Sequence, residues 1–273
     1  MAKIDPTASV DKDAVIADDA TIGPYCVIGP KVTVGPGVRL MAHVYVEGET
    51  SIGARTIVFP FAALGTAPQS ISYKGEPTRL EIGADCQIRE SVTMNRGTPE
   101  GGGLTRVGDR GFFMAHSHVG HDCIVGNNVI FANSVALGGH AEIGDHVFMG
   151  GLSAVHQHTR VGAHVMVGGG SAVLGDAIPF MLINGRKGMI EGLNVVGLKR
   201  RGFTPKRLHV IRRFYHHLFL GPGTFSDRIA EAMQQEPADP AITEILDFLK
   251  AGGKRRLTIP RTMTTRLEVD PDK

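Results

Sequence analysis

The residues of this chain best suited to acid–base chemistry are histidines. Eight of its 12 histidines lie between His116 and His164. One of them, His121, directly precedes Asp122, and a neighbouring carboxylate can set the tautomer and basicity of an imidazole. Such a pair is suited to removing a proton from a substrate group. No serine or cysteine accompanies it as an evident nucleophile, so the residues favour direct transfer over a covalent intermediate.

A repeat of six residues determines where these histidines lie. Large apolar side chains occupy every sixth position over 4–64 and again over 107–173, and the position two before each is small or β-branched. Residues two apart on a strand share a face, so each hexad directs one small and one large side chain inward. We expect short stacked strands with one shared core. Glycine often follows the large residue, and we expect it to form the corner.

Three hexads per coil would place residues 18 apart in one column, although the repeat itself fixes neither three sides nor the hand of the coil. One such column contains Asp122, His140 and His158, and His121 lies under Gly139. A glycine beside the ring leaves space for a substrate, and its N–H could stabilise an oxyanion. His121 and Asp122 can meet only at a corner, or through another coil or subunit. We expect His146 and His164 at solvent-facing corners, with no chemical role.

Two interruptions of the repeat predict loops near residues 65–79 and 95–106. The first keeps the phase and places Ser70 and Glu76 at core positions, so we expect a loop that replaces part of a coil. The second shifts the phase by one and contains the consecutive glycines 101–103, which indicate an exposed, mobile excursion. Both loops are candidates for substrate specificity.

The repeat ends near Pro179, and the composition then becomes helical. Helix boundaries are predicted by Thr204-Pro205, Gly221-Pro222, Thr224 or Ser226, and Asp239-Pro240. The sequence therefore predicts a mainly β fold with two domains. Residues 1–186 form a β-helix with excursions near 65–79 and 95–106, and residues 187–273 form a C-terminal α-helical domain.

Composition excludes several classes of protein. The net charge of +2 gives no global indication of nucleic acid or membrane binding. Cys26, Cys86 and Cys123 fall on inward positions, so we expect buried thiols without a disulfide framework or zinc knuckle. The first residues lack a signal segment, and no stretch nears the roughly 20 apolar residues that cross a bilayer. We expect a cytoplasmic protein without membrane insertion.

Seven segments carry a resemblance to a known family. They are 75–79 (GEPTR), 88–93 (IRESVT), 96–98 (RGT), 101–103 (GGG), 121–123 (HDC), 154–157 (AVHQ) and 197–201 (GLKRR). Together they resemble the UDP-N-acetylglucosamine O-acyltransferases, which begin lipid A biosynthesis, and the resemblance spans essentially the whole chain. It implies a left-handed parallel β-helix, a cytosolic homotrimer with active sites between subunits, and no cofactor. The implied reaction moves a 3-hydroxyacyl chain from acyl carrier protein to the glucosamine 3-position of UDP-N-acetylglucosamine.

The resemblance also implies roles for individual residues. His121 is similar to the general base, Asp122 to its orienting partner, and the Gly139 N–H to the oxyanion donor. The positions that match sugar or acyl contacts are His118, His140, His156 and Gln157, and those that match nucleotide and phosphate contacts are Asn194, Arg200 and Arg201. Gly169 matches the position that limits chain length, and its missing side chain implies a long acyl pocket. The basic helix with Lys206, Arg207, Arg212 and Arg213 is then the expected docking face for acyl carrier protein.

The chain departs from the family pattern at several of these contacts. Where the family has an acid and a lysine in the first loop, this chain has Ser70 and Ser72. Lys74 could replace the lysine, so Ser72 and Lys74 are both candidate substrate contacts. Val196 replaces a nucleotide-contacting glutamate, and Lys187 a nearby histidine, so recognition of the nucleotide is expected to differ in detail.

Other functions remain open at this point. Another hexapeptide acyltransferase could use a 3-amino sugar as acceptor. His116 and His121 also resemble two ligands of the hexapeptide-repeat carbonic anhydrases, but a catalytic zinc needs a third protein ligand. No histidine lies between His43 and His116 to supply it, so we expect no metal. A rod without chemistry would need neither the histidines nor the loops.

Overall fold

A computed structural model describes residues 1–234, 237, 239–253 and 255–261. Within these residues the elements are β1 Lys3–Ile4, β2 Ser9–Val10, β3 Val15–Ile16, β4 Thr21–Ile22, β5 Val27–Ile28, β6 Thr33–Val34, β7 Arg39–Leu40, β8 Tyr45–Val46, β9 Glu49–Ile52, β10 Ile57–Val58, β11 Ala63–Thr66, β12 Arg79–Ile82, β13 Gln87–Ile88, β14 Thr93–Asn95, a 3-10 turn Pro99–Gly101, β15 Leu104–Val107, β16 Phe112–Phe113, β17 His118–Val119, β18 Ile124–Val125, β19 Ile130–Phe131, β20 Ala136–Leu137, β21 Glu142–Ile143, β22 Phe148–Met149, β23 Ala154–Val155, β24 Arg160–Val161, β25 Met166–Val167, β26 Ala172–Val173, β27 Met181–Asn184, β28 Met189–Leu193, α1 Val195–Arg200, α2 Pro205–Leu220, α3 Phe225–Gln234 and α4 Pro240–Gly252.

The strands form the three sides of a left-handed parallel β-helix, as predicted. Sheet A has the order β1-β4-β7-β10-β13-β16-β19-β22-β25-β27-β28, sheet B the order β2-β5-β8-β11-β14-β17-β20-β23-β26, and sheet C the order β24-β21-β18-β15-β12-β9-β6-β3. From β1 to β26, successive strands of the chain lie in successive sheets. In the second repeat run the register joins residues 18 apart, as in the pairing of Val119 with Leu137.

The corners are not formed by the glycines that follow the large residues, and that expectation is wrong. The left-handed corner lies two residues later and is usually a non-glycine residue, such as Asp122 with φ 60° or His140 with φ 61°. The preceding glycine has another function. A Cβ on Gly120 would lie 2.7 Å from the carbonyl oxygen of Leu137 in the next coil. Glycine therefore permits close stacking of coils.

The inward positions form one continuous apolar core. The predicted burial of all three cysteines is confirmed. The large apolar residues of the first three hexads are exceptions. Ile4 is 44% exposed, and Val10 and Ile16 are only partly buried. No described coil covers the open end of the prism below them.

Both interruptions lengthen a coil. Strands β9 and β12 pair with a separation of 30 residues, as between Arg79 and Glu49. The first loop is therefore an insertion of 12 residues (30 − 18) into one coil, and it does not replace part of a coil as predicted. Strands β12 and β15 pair with a separation of 25 residues, so the second inserts seven (25 − 18). The tip of the second loop is exposed at Pro99, Glu100 and Gly102, as expected, whereas Thr98 at its base is buried.

The predicted helix boundaries in the C-terminal part are confirmed. Thr204 caps α2, with its side chain accepting from the Arg207 N–H, and α2 ends before Gly221. Asp239 caps α4. The sequence did not predict the antiparallel hairpin of β27 and β28, which extends sheet A, or the short helix α1.

The division at residues 186 and 187 stays a prediction. It falls in the turn between β27 and β28, and residues 262–273 of the second domain lie outside the described residues. Among the residues that the structure describes, no helix is long and apolar enough to cross a membrane.

Candidate active site

His121 and Asp122 form a hydrogen-bonded pair at the corner that follows β17. The left-handed conformation of Asp122 turns the chain between them, so both side chains reach the same side. The His121 Nδ1 lies 2.7 Å from the Asp122 Oδ2. The Nε2 of His121 has no hydrogen bond to a described residue and is free to accept a proton. The His121 side chain is 19% exposed and that of Asp122 only 1%. A buried carboxylate therefore contacts an imidazole ring that remains accessible.

Two threonines that sequence reasoning missed hold Asp122 in place. The Thr98 N–H and hydroxyl donate to the two carboxylate oxygens, each over 2.7 Å. The Asp122 N–H donates to the Thr105 hydroxyl over 2.8 Å. The sequence signal that could have indicated these contacts is the shifted phase of the repeat, because the insertion that causes the shift forms a loop at this corner.

Gly139 lies against the face of His121, as the column arithmetic predicted. A Cβ on Gly139 would collide with the imidazole ring. The Gly139 carbonyl accepts from the His158 N–H, whereas the Gly139 N–H makes no hydrogen bond to a described residue. A proton acceptor and an unused N–H donor therefore share one side of the corner.

The predicted column of Asp122, His140 and His158 is also confirmed. The Nε2 of His140 lies 3.6 Å from the Asp122 Oδ2. The ring of His158 stacks on that of His140, with centroids 4.3 Å apart. Burial lowers the pKa of His140, and the Asp122 charge partly opposes this. His140 therefore favours its neutral form beside the pair.

The other histidine candidates lie on or beside sheet B. The Nδ1 of His118 lies 2.7 Å from the Thr93 hydroxyl, and burial lowers the pKa of His118. His156 and Gln157 are exposed at the end of β23, at the same type of corner as His121 but on a higher coil. Gly169 precedes β26 and has open space on one side, with only the Gly151 backbone within reach of a Cβ.

Ser72 and Lys74 lie in the first loop, between β11 of sheet B and β12 of sheet C, and both are exposed. The loop starts at a corner between sheet B and sheet C, and His121 lies at another corner between these two sheets. The Ser72 and Ser70 hydroxyls are 3.0 Å apart, and the Lys74 N–H donates to the Glu76 carboxylate over 2.8 Å.

Asn194, Arg200 and Arg201 lie on a different face from His121. They line a cleft of about 580 Å³ whose floor is the outer face of sheet A, at Ile130, Phe148, Met166 and Leu182. Asn194 is buried, caps α1, and donates to the His164 carbonyl over 2.9 Å. Arg201 donates to the His146 carbonyl, and burial lowers the pKa of Arg201. Arg200 is exposed. One chain does not bring these residues to the His121 corner.

His146 and His164 lie at corners, as expected, but their side chains are half-buried instead of solvent-facing. Their rings stack with centroids 4.8 Å apart, and His164 also stacks on Phe180 and contacts Phe203 edge-on. Burial is the main cause that lowers the pKa of His164 to about 4. This column joins the β-helix to the segment that follows α1.

Within the part of the chain that the structure describes, the group that could hold a metal ion is His121, Asp122 and His140, whose ligand atoms lie within 4.8 Å of one another. The Asp122 Oδ2 already accepts from Thr98 and lies in hydrogen-bond contact with His121 Nδ1. That geometry suits proton transfer better than coordination. His116 lies at the corner before β17 and His121 at the corner after it, so the two zinc-ligand candidates lie at different corners.

Comparisons with known proteins agree with this geometry. A family model described as Udp N-acetylglucosamine O-acyltransferase, domain 2, matches residues 176–258, and one described as bacterial transferase hexapeptide (six repeats) matches residues 1–36. The chain is 56% identical over 260 residues to the acyl-(acyl-carrier-protein)–UDP-N-acetylglucosamine O-acyltransferase of Azorhizobium caulinodans, with 95% of this chain and 96% of that protein covered. The solved UDP-N-acetylglucosamine acyltransferase of Francisella novicida has a TM-score of 0.92 at 30% identity, with 99% of both chains covered. LpxA from Acinetobacter baumannii has a TM-score of 0.89 at 39% identity, with 94% of this chain and 99% of that chain covered.

Proposed function

The chain belongs to the UDP-N-acetylglucosamine O-acyltransferase family, and we propose from this that it transfers a 3-hydroxyacyl chain from acyl carrier protein to the 3-position of UDP-N-acetylglucosamine, the first step of lipid A biosynthesis. The observation that carries the proposal is the corner where His121 and Asp122 meet the Gly139 N–H, which has no hydrogen-bond partner among the described residues. The family relatives are named for this transfer.

The proposed mechanism is direct. The His121 Nε2 removes the proton of the sugar 3-hydroxyl while Asp122 accepts from the Nδ1–H and stabilises the charged ring. The sugar oxygen bonds to the thioester carbonyl carbon, and the Gly139 N–H stabilises the oxyanion. Breaking the carbon–sulfur bond releases the carrier thiolate, which takes the proton back from His121. The products are the ester and the free thiol of the carrier.

The outer face of sheet B supports an acyl site. Beyond His118 this face carries Ala136, Ala154 and Ala172 on successive rungs. Three rung spacings span about 14 Å, and alanines leave a shallow apolar surface along that path. Gly169 lies beside the last of these rungs, so we propose that it leaves room for a long chain.

We propose a homotrimer in which each site combines two subunits. Asn194, Arg200 and Arg201 lie over sheet A, whereas His121 follows sheet B, so a substrate that contacts both sets needs two chains. The outer faces suit this assembly. Sheet A presents Phe112, Ile130, Phe148, Met166 and Leu182, and sheet B presents the alanines, whereas sheet C presents the charged Glu81, Arg106 and Glu142 around the exposed Ile124.

The basic segment around α2 supports docking of an acidic carrier protein. Lys199, Arg200, Lys206, Arg212 and Arg213 are exposed, and none has an ion pair with a described residue. Arg207 differs, because it pairs with Asp239 over 3.3 Å and lies on Phe203. Unpaired cations of this kind attract an acidic partner.

We propose a cytoplasmic location, where the family resemblance places the reaction.

An acyl-transfer assay tests the proposed function. Purified protein is incubated with UDP-N-acetylglucosamine and 3-hydroxyacyl carrier proteins of several chain lengths, and the product is identified by mass spectrometry. We expect a 3-O-acylated product. Transfer only to a 3-amino sugar would show that the acceptor is the amino sugar and not UDP-N-acetylglucosamine. No transfer to either sugar would overturn the proposal.

The same assay tests docking of the carrier protein on α2. Lys206→Glu should raise KM for the carrier, whereas Lys31→Glu, an exposed control remote from α2, should not.

A further inference from the structure

The loop of residues 96–103 encloses the carboxylate of Asp122. Thr98 is 2% exposed and contributes both its N–H and its hydroxyl to that carboxylate. The same Thr98 oxygen accepts from the Gly101 N–H over 3.2 Å and caps the turn Pro99–Gly101. The Thr98 hydroxyl thus stabilises the turn Pro99–Gly101 and also donates to the Asp122 carboxylate.

Glycines in this loop allow the enclosure. A Cβ on Gly101 would collide with the Asp122 carboxylate, and one on Gly97 would lie 2.8 Å from its Oδ1. The insertion of seven residues that shifts the repeat is therefore shaped around a single buried side chain. A loop that only decorated the surface would not need these contacts.

We infer that Thr98 is a positioning residue for the transfer reaction, which acts through Asp122 to orient the His121 ring. A buried carboxylate needs donors to remain ionised in one rotamer. Thr98 supplies one donor to each carboxylate oxygen, and the Oδ2 that accepts from its hydroxyl also lies in hydrogen-bond contact with His121 Nδ1. The kinetic part of this inference rests on the proposed function, and the geometric part does not.

The kinetic test compares Thr98→Val with Thr98→Ser. Valine keeps the shape and the N–H donor but removes the hydroxyl, so we expect kcat to fall about tenfold to a hundredfold, with KM for UDP-N-acetylglucosamine within about twofold. Serine should restore near-normal kcat. Thr56→Val is the matched control, because the buried Thr56 hydroxyl also donates once, to Gly83, and accepts once, from Cys86. It should lower stability without lowering kcat.

A second readout does not depend on activity. In protein labelled with 15N-histidine, the Nδ1–H resonance of His121, assigned by its loss in His121→Gln, reports the hydrogen bond to Asp122. It should persist in wild type and Thr98→Ser and disappear or broaden in Thr98→Val. Wild-type kcat together with an unchanged resonance in folded Thr98→Val would overturn the inference. A lost resonance in a protein without transferase activity would support the positioning role and contradict only the proposed function.

Discussion

At the scale of single residues, the partners of each histidine distinguish the proton acceptor from the structural rings. His121 has a buried carboxylate on Nδ1, and its Nε2 has no hydrogen bond to a residue that the structure describes. His140 and His158 stack beside that carboxylate. His146 and His164 instead belong to an aromatic column with Phe180 and Phe203. The first group is arranged for proton transfer, and the last for packing.

The low pKa of His164 predicts loss of stability in acid. Its folded pKa of about 4 lies below the ordinary histidine pKa of 6.5, so the unfolded chain binds the proton first as the pH falls. This contribution to stability is complete above about pH 6.5 and is lost progressively toward pH 4. His164→Phe keeps an aromatic ring in the stack and cannot be protonated.

Thermal unfolding between pH 7 and pH 4 measures this effect. We expect the Tm of wild type to fall more steeply than that of His164→Phe. Identical slopes for the two proteins would show that His164 does not contribute to the acid sensitivity.

At the scale of the repeat, the small and the large inward residue of one hexad contact each other at Gly111 and Phe113. The ring of Phe113 packs edge-on against Phe131, with centroids 5.1 Å apart. Gly111 occupies the small position of the same hexad, and a Cβ there would collide with the Phe113 ring. Other hexads carry alanine, cysteine or valine at that position. The glycine therefore leaves room for the Phe113 ring in this hexad.

Gly111→Ala should be destabilising by about 1–3 kcal/mol because it overfills the core. Adding Phe113→Leu should recover most of the loss, and chemical or thermal unfolding of the two variants measures it. If Gly111→Ala alone is as stable as wild type, the two positions are not coupled.

Much of the fold and part of the site follow from the period of six. The period identifies the inward residues, and the spacing of 18 places His121 beside Gly139 and Asp122 below His140. Thr98 could not be placed in this way, because it lies in an insertion whose path depends on tertiary contacts. His164 was placed at a corner correctly, but its burial depends on Phe203, which comes from outside the repeat. The period also gave no length for the first insertion.

At the scale of the whole molecule, the two halves of the proposed site lie on different faces. The cleft with Asn194 and Arg200 lies over sheet A, and the pair of His121 and Asp122 lies beyond sheet B. With a chain mass of 29.1 kDa, a trimer would have about three times that mass. Light scattering on purified protein measures it.

Mixed subunits test whether neighbouring chains share a site. His121→Ala and Arg200→Ala should each impair transfer alone. Coexpression of the two chains should restore activity, because some clefts then combine an intact His121 with an intact Arg200. Mixed preparations no more active than the average of the two parents would contradict a shared site.

The most direct test of the central claim is the single-turnover rate of His121→Ala in the transfer assay. With His121 as the general base, the rate should fall about 10²–10⁴-fold, while Tm and assembly stay those of wild type. A rate near that of wild type in the folded variant would contradict the proposed mechanism.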